Sequence, residues 1–200
     1  KTALDIQRDI VLQHLSDSWS LFESYGKPPE EINPKTVRYR FQEDLPALVL
    51  NYIQRAKDLR LTPDMLDVPL RRAGDDFALA RFANEVYTDY QRSLAYRGAV
   101  DFDDLVRLAL EALQRDRQYL ERLRARWPYI LEDEAQDSSR LQQEMLSLLS
   151  GDRNWARVGD PNQAINTTFT TADPRFLLDF LDLDQTPDVE ERPLSVSGRS

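Results

Sequence analysis

Tyr129-Ile130-Leu131-Glu132-Asp133-Glu134-Ala135-Gln136-Asp137 joins an apolar run to a carboxylate pair and leads into helical sequence from about Ser138. A short β-leaning run closed by turn signals reads as a strand. Two more segments share that character, Trp155-Ala156-Arg157-Val158 and Pro193-Leu194-Ser195-Val196. A helical stretch separates each from the next, which predicts parallel strands joined by crossovers. Carboxylates at the C-terminal end of a parallel strand lie in the crevice where α/β sheets bind ligands. Asp133 is therefore a candidate Mg²⁺ ligand and Glu134 a candidate for polarising a water beside a phosphate. The competing reading is a solvated acidic loop capping the next helix. Three strands are few for an α/β sheet, so the remainder is expected to lie outside this chain or to be absent.

Elsewhere helical periodicity dominates. Leu45, Leu48, Val49, Tyr52, Ile53, Ala56 and Leu59 keep the spacing of a buried helical stripe, as do Leu79, Phe82, Ala83, Val86, Tyr87, Tyr90 and Leu94. Gly98 is placed to stop the second helix. Further helices are expected at about Asp103–Gln114, Arg117–Arg126, Ser138–Leu149 and Pro174–Leu181, with Asp101 and Ser138 as candidate caps. Gly26–Pro29, Asn33-Pro34, Thr62-Pro63, Ala73–Asp76 and Thr186-Pro187-Asp188 mark loops. Trp19, Phe22 and Tyr25 read as core and Arg71-Arg72 as solvated surface. His14 has no partner in sequence and is read as structural or exposed. The expected fold is mainly α with a few short parallel strands.

Composition narrows the chemistry. The chain has 200 residues, no cysteine, one histidine, 26 basic and 35 acidic side chains, and a net charge of −9. Without cysteine there is no disulfide framework and no thiolate metal site or nucleophile. One histidine leaves little room for a histidine metal centre or a Ser-His-Asp triad. No apolar run reaches the ~20 residues of a membrane span, and no stretch resembles a signal peptide. The expectation is a soluble, cytoplasmic protein working with carboxylates, amides and arginines. Residues 1–99 carry 14 basic and 15 acidic side chains, and residues 100–200 carry 12 and 20. The acidity opposes a nucleic-acid footprint over the whole surface but permits a local groove and suits Mg²⁺.

A second turn joins the first. Val158-Gly159-Asp160-Pro161-Asn162-Gln163 follows the Trp155 strand. There Gly159 permits close backbone approach to a ligand, and Gln163 offers an amide to water or phosphate oxygen. Alone it reads as a simple turn. The order Asp133-Glu134-x-Gln136-Asp137, helix, Val158-Gly159-Asp160-x-x-Gln163-x-Ile165 resembles motifs II and III of superfamily 1 DNA helicases of the UvrD/Rep/PcrA type. Val100-Asp101-Phe102-Asp103-Asp104-Leu105 resembles the acidic-aromatic signature preceding motif II. Leu194-Ser195-Val196-Ser197-Gly198-Arg199-Ser200 resembles the start of motif IV. These landmarks span about residues 77–200; the preceding residues match only in being helical, like the family's 1B insertion.

The resemblance implies a helical 1B-like insertion over 1–125, the second half of the RecA-like ATPase core subdomain 1A over 126–192, and the start of motif IV over 193–200. Asp133 would bind the Mg²⁺ of MgATP and Glu134 activate the hydrolytic water. Gln163 would sense the γ-phosphate, Arg199 stabilise transferring charge, and Gln136, Asp137 and Asp160 link the motifs. Phe169 would stack on a DNA base. Implied partners are ATP, single-stranded DNA with its single-strand/duplex junction, and the rest of a helicase chain moving 3′–5′, without a membrane.

Departures accompany the match. Glu132 stands where the family is apolar, Asn166 where it is aromatic, Thr170 or Thr171 where an arginine is usual, and Ser197-Gly198 where Asn-Tyr is usual. A phosphate-cradling G-x-x-x-x-G-K-[ST] loop is missing: the one Gly-Lys pair, Gly26-Lys27, has Leu21 before it and Pro28 after it. The chain also begins at Lys1 in helix-like sequence. An internal excerpt, inactive by itself, is therefore expected. The alternatives are a non-hydrolytic helical interaction module, and a Mg²⁺ phosphohydrolase using Asp101, Asp103, Asp104, Asp133 and Glu134.

Overall fold

The computed structural model describes residues 2–14, 34–74, 77–151, 154–163, 171–180, 189–190 and 192–193. The chain divides into two compact units, Lys1–Arg115 and Asp116–Ser200. The expected insertion boundary at 125/126 differs from this division by one helix, Arg117–Arg126.

The first unit is helical: α1 (Ala3–Gln13), α2 (Pro34–Asp58), α3 (Pro63–Arg72), α4 (Ala78–Tyr96) and α5 (Phe102–Arg115). Ile6, Ile10 and Val11 of α1 meet Leu45, Val49, Ile53 and Ala56 of α2 and Phe82, Ala83, Val86, Tyr87, Tyr90 and Leu94 of α4 in one core. Two members of the expected α2 stripe do not join it: Leu48 is 42% exposed and Leu59 49%. The core-facing line runs 45-49-53-56, so Leu48 falls beside it, and Leu59 lies past the helix end. The Thr62-Pro63 loop signal proves to be a helix start, with Thr62 Oγ1 accepting from Met65 N at 3.3 Å and Pro63 in the first turn. Gly98 ends α4 with φ +59°, where a side chain would be strained. His14 has a partner after all: its Nε2 lies 3.1 Å from Asp89 Oδ2, and its ring packs edge-on to Phe82.

The acidic-aromatic signature sits at the start of α5. Asp101 caps it, accepting from Asp104 N at 2.9 Å. Lys57, 1% exposed, donates to Asp101 Oδ2 at 2.5 Å and to Asp104 Oδ2 at 2.9 Å. Tyr90 adds its hydroxyl to Asp101 at 2.8 Å. Burial opposes ionisation of Asp101, yet the Lys57 ammonium prevails and holds it below the usual carboxylate range. Asp103 behaves oppositely. Burial, then the neighbouring Asp101 charge, push it up to about 6.

The second unit holds α6 (Arg117–Arg126), β1 (Ile130–Glu132), α7 (Arg140–Ser150), β2 (Trp155–Arg157) and α8 (Arg175–Phe180). The strands pair in parallel, Ile130 with Trp155, Leu131 with Ala156 and Glu132 with Arg157. Strand one runs one residue later than expected, which brings Glu132 into the ladder. Helix α7 is capped by Ser139 rather than Ser138: Ser139 Oγ accepts from Gln142 N, and the Gln142 side chain accepts from Ser139 N. The expected strand near Leu194 lies outside the described residues, as do Trp19, Phe22, Tyr25 and the Gly26-Lys27 pair.

Because Asp103 binds a proton more readily folded than unfolded, its contribution to stability falls as pH rises from about 3.8 to about 6 and stays flat above. Asp103→Asn is expected to raise the unfolding midpoint at pH 7, with the gain shrinking towards pH 4. Thermal unfolding at both pH values checks this.

Candidate functional site

Parallel pairing delivers the C-terminal ends of β1 and β2 to the same edge. Past the ladder, Val158 N donates to Glu132 O at 2.8 Å and Ala135 N to Val158 O at 2.9 Å, so the two turns leave side by side. The first turn carries Asp133 and Glu134, both exposed. Glu134 N donates to Asp133 Oδ1 at 3.0 Å. Glu134 itself is left-handed, φ +52° and ψ +42°, an uncommon conformation for a residue with a side chain. A 3₁₀ turn over Ala135–Asp137 follows.

Gln136 joins the turns. Buried at 2% exposure, it donates from Nε2 to Glu134 Oε2 at 2.8 Å and accepts at Oε1 from Asp160 N at 3.1 Å. The backbones approach closely here. A Cβ on Gly159 would lie 2.5 Å from Gln136 Oε1, 3.0 Å from Ala135 N and 3.1 Å from Leu177 Cδ2. Gly159, expected to admit a ligand, instead admits the neighbouring turn. Gln163 is exposed and donates from Nε2 to Asp160 Oδ2 at 3.0 Å. Asp160 is held below the usual carboxylate range by Asn162 N–H first and the Gln163 amide next. Asp137 points its carboxylate to solvent while its N–H donates to Glu134 O at 2.8 Å. Arg199 and Phe169 lie outside the described residues, as do Ile165, Asn166, Thr170 and Ser197-Gly198.

Sequence reasoning missed the groups beneath the turn. Glu132, noted only as a departure from an apolar position, meets Arg157 across the ladder, Arg157 Nε to Glu132 Oε2 at 2.6 Å, with side chains 8% and 1% exposed. Trp155 Nε1 also donates to Oε2 at 3.2 Å, and Ser138 Oγ donates to Oε1. The Arg157 guanidinium lies 4.7 Å from the Trp155 ring centroid and 5.1 Å from that of Phe180. Opposite charges, each interrupting one of two adjacent apolar strands, were the available signal.

Mg²⁺ commonly keeps several waters and takes one or two protein carboxylates plus substrate phosphates. Asp133, solvent-facing at a strand end, fits that role. Among the described residues no group of three or more His, Cys, Asp or Glu is placed to hold a metal. Asp101 and Asp104 are engaged with the Lys57 ammonium.

Comparison with known proteins bears on the same residues. The UvrD/REP helicase N-terminal domain family model matches residues 2–183. ATP-dependent DNA helicase UvrD2 of Mycobacterium bovis is 43% identical over 100 residues, covering 48% of this chain and 14% of that protein. ATP-dependent DNA helicase PcrA of Leuconostoc citreum is 35% identical over 60% of the chain and 16% of its own length. PcrA of Staphylococcus epidermidis is 29% identical over 81% and 21%. The chain thus spans about a fifth or less of these relatives. No helix among the described residues is long and apolar enough to cross a membrane.

Three variants probe the architecture. Gly159→Ala is expected to cost about 1–3 kcal/mol by overpacking, read by denaturant unfolding. Arg157→Ala strands a buried carboxylate and is expected to cost about 3–5 kcal/mol, whereas Glu132→Val with Arg157→Val together should come within about 1 kcal/mol of the parent or exceed it.

Proposed function

Since the chain belongs to the UvrD/REP helicase N-terminal domain family, we propose that it is the motif II and III segment of an ATP-dependent DNA helicase that moves 3′–5′ on single-stranded DNA. The observation that carries this reading is Gln136. Its one amide contacts both Glu134 and the backbone of Asp160, so the acidic turn and the Gly159–Gln163 turn answer to each other. Residues 1–125 serve as the helical 1B-like insertion, 126–192 as the second half of a RecA-like core, and 193–200 as the start of motif IV.

In this mechanism Asp133 would hold Mg²⁺, which when bound would supply charge neutralisation for phosphoryl transfer. Glu134 orients the attacking water and accepts its proton. Gln136 sets the Glu134 carboxylate by donating to one of its oxygens. Gln163, tethered to Asp160 at the end of the second turn, reports the terminal phosphate. Arg199 supplies transition-state charge and Phe169 a stacking face for a base, a contact worth ~1–3 kcal/mol. Partners are ATP, single-stranded DNA and its junction with duplex, and the remaining helicase chain, in the cytoplasm.

In the intact enzyme, Glu134→Gln is expected to leave nucleotide affinity within a few-fold and cut steady-state ATP turnover by ~10²-fold or more. Unchanged turnover with tight nucleotide binding would refute the assignment.

A further inference from the structure

We propose that Glu132, Arg157 and Ser138 act as a clamp that positions the acidic turn for hydrolysis; this rests on the reading of Asp133 and Glu134 above. The clamp is a side-chain bridge across the base of the turn. Glu132 immediately precedes Asp133, Ser138 immediately follows Asp137, and the Ser138 hydroxyl donates to Glu132 Oε1. The five residues 133–137 are thereby closed into a loop pinned at both ends.

Each pin is anchored in turn. Glu132 receives Arg157 Nε at 2.6 Å, Arg157 Nη2 at 3.3 Å and Trp155 Nε1 at 3.2 Å, besides the serine. Arg157 is fixed from behind, donating to Phe176 O at 2.8 Å and stacking between Trp155 and Phe180. Ser138 is 8% exposed, and its carbonyl accepts from Asp173 N at 3.1 Å. The neighbouring Ser139 already caps α7, so the Ser138 hydroxyl is not needed there.

Stability alone gives no reason for this arrangement, because a matched apolar pair fills two adjacent strand positions at least as well as a buried ion pair. Directional bonds do something an apolar pair cannot. They fix the heading of the chain as it leaves β1 and as it enters α7. Between those points Glu134 keeps a left-handed backbone that persists only where its surroundings over-determine it. Displacement of a reacting group by about 1 Å can cost as much as 10²-fold in rate. Glu132, Arg157 and Ser138 are thus positioning residues; none is placed to touch the nucleotide.

The test uses the intact enzyme and compares Ser138→Ala with Ser138→Thr, which keeps the hydroxyl. Ser138→Ala is expected to lower kcat for ATP roughly tenfold with KM within about twofold, and to speed amide exchange across 133–137 while leaving α6 unchanged. Ser138→Thr should restore both readouts. Ser138→Cys, with a weaker donor of similar size, repeats the test if the alanine variant fails to fold. Wild-type exchange in the turn, or faster exchange with undiminished kcat, overturns the clamp. Failure of the catalytic reading itself shows separately, as an undiminished rate in Glu134→Gln.

Discussion

The contact between Glu132 and Arg157 governs the second unit. Two opposite charges occupy register-paired positions on adjacent parallel strands and are almost wholly removed from water. Desolvating them is costly, and their attraction offsets the cost only when geometry is good and the remaining lone pairs are used. Here Glu132 has four donors from three residues, and the guanidinium lies between two aromatic rings. The pairing also selects the register. Slipping one strand by a single residue would turn its charge to the opposite face and leave the partner buried alone.

What lies above that pair inherits its order. Parallel strands held in one register emit their turns side by side, and Gly159 lets the second turn come against the first. Gln136 then spends its donor on Glu134 and its acceptor on Asp160 N, leaving Asp133 and Glu134 facing solvent. A left-handed Glu134 is tolerable because its backbone is bounded by bonds on both sides: its N–H reaches Asp133, and its carbonyl receives Asp137 N–H. Buried bonds hold the turn from below, and Asp133 and Glu134 stay exposed above.

The first unit uses a related device for another purpose. Lys57 carries a charge into the interior of a helical core, where Asp101 and Asp104 meet it. The same Asp101 caps α5, so one carboxylate both neutralises the lysine and starts the helix. Tyr90 closes the network, and burial, then the adjacent Asp101 charge, raise its phenol well above the ordinary range. Polar groups placed this way are satisfied by one another, which is what permits their burial.

Periodicity by itself determined the helices around 45–59 and 79–94, and the apolar-run-then-acid pattern determined the two described strands and the turns that follow them. These are local properties: a 3.6-residue repeat, a β-leaning run and a carboxylate pair mean nearly the same thing in any surroundings. The grouping of Asp133 and Glu134 with Gly159, Asp160 and Gln163 was legible too, because motif order and spacing carry family likeness. Tertiary structure alone decided which neighbours share a bond. Helix α3 was hidden behind its own Thr62-Pro63 turn signal, and Ser138 passed for a cap because a serine one residue from a helix start looks the same either way. Glu132 looked like a blemish in a strand until register put Arg157 beside it. Pairings between residues 25 positions apart depend on how strands lie against each other, and no window along the chain contains that information.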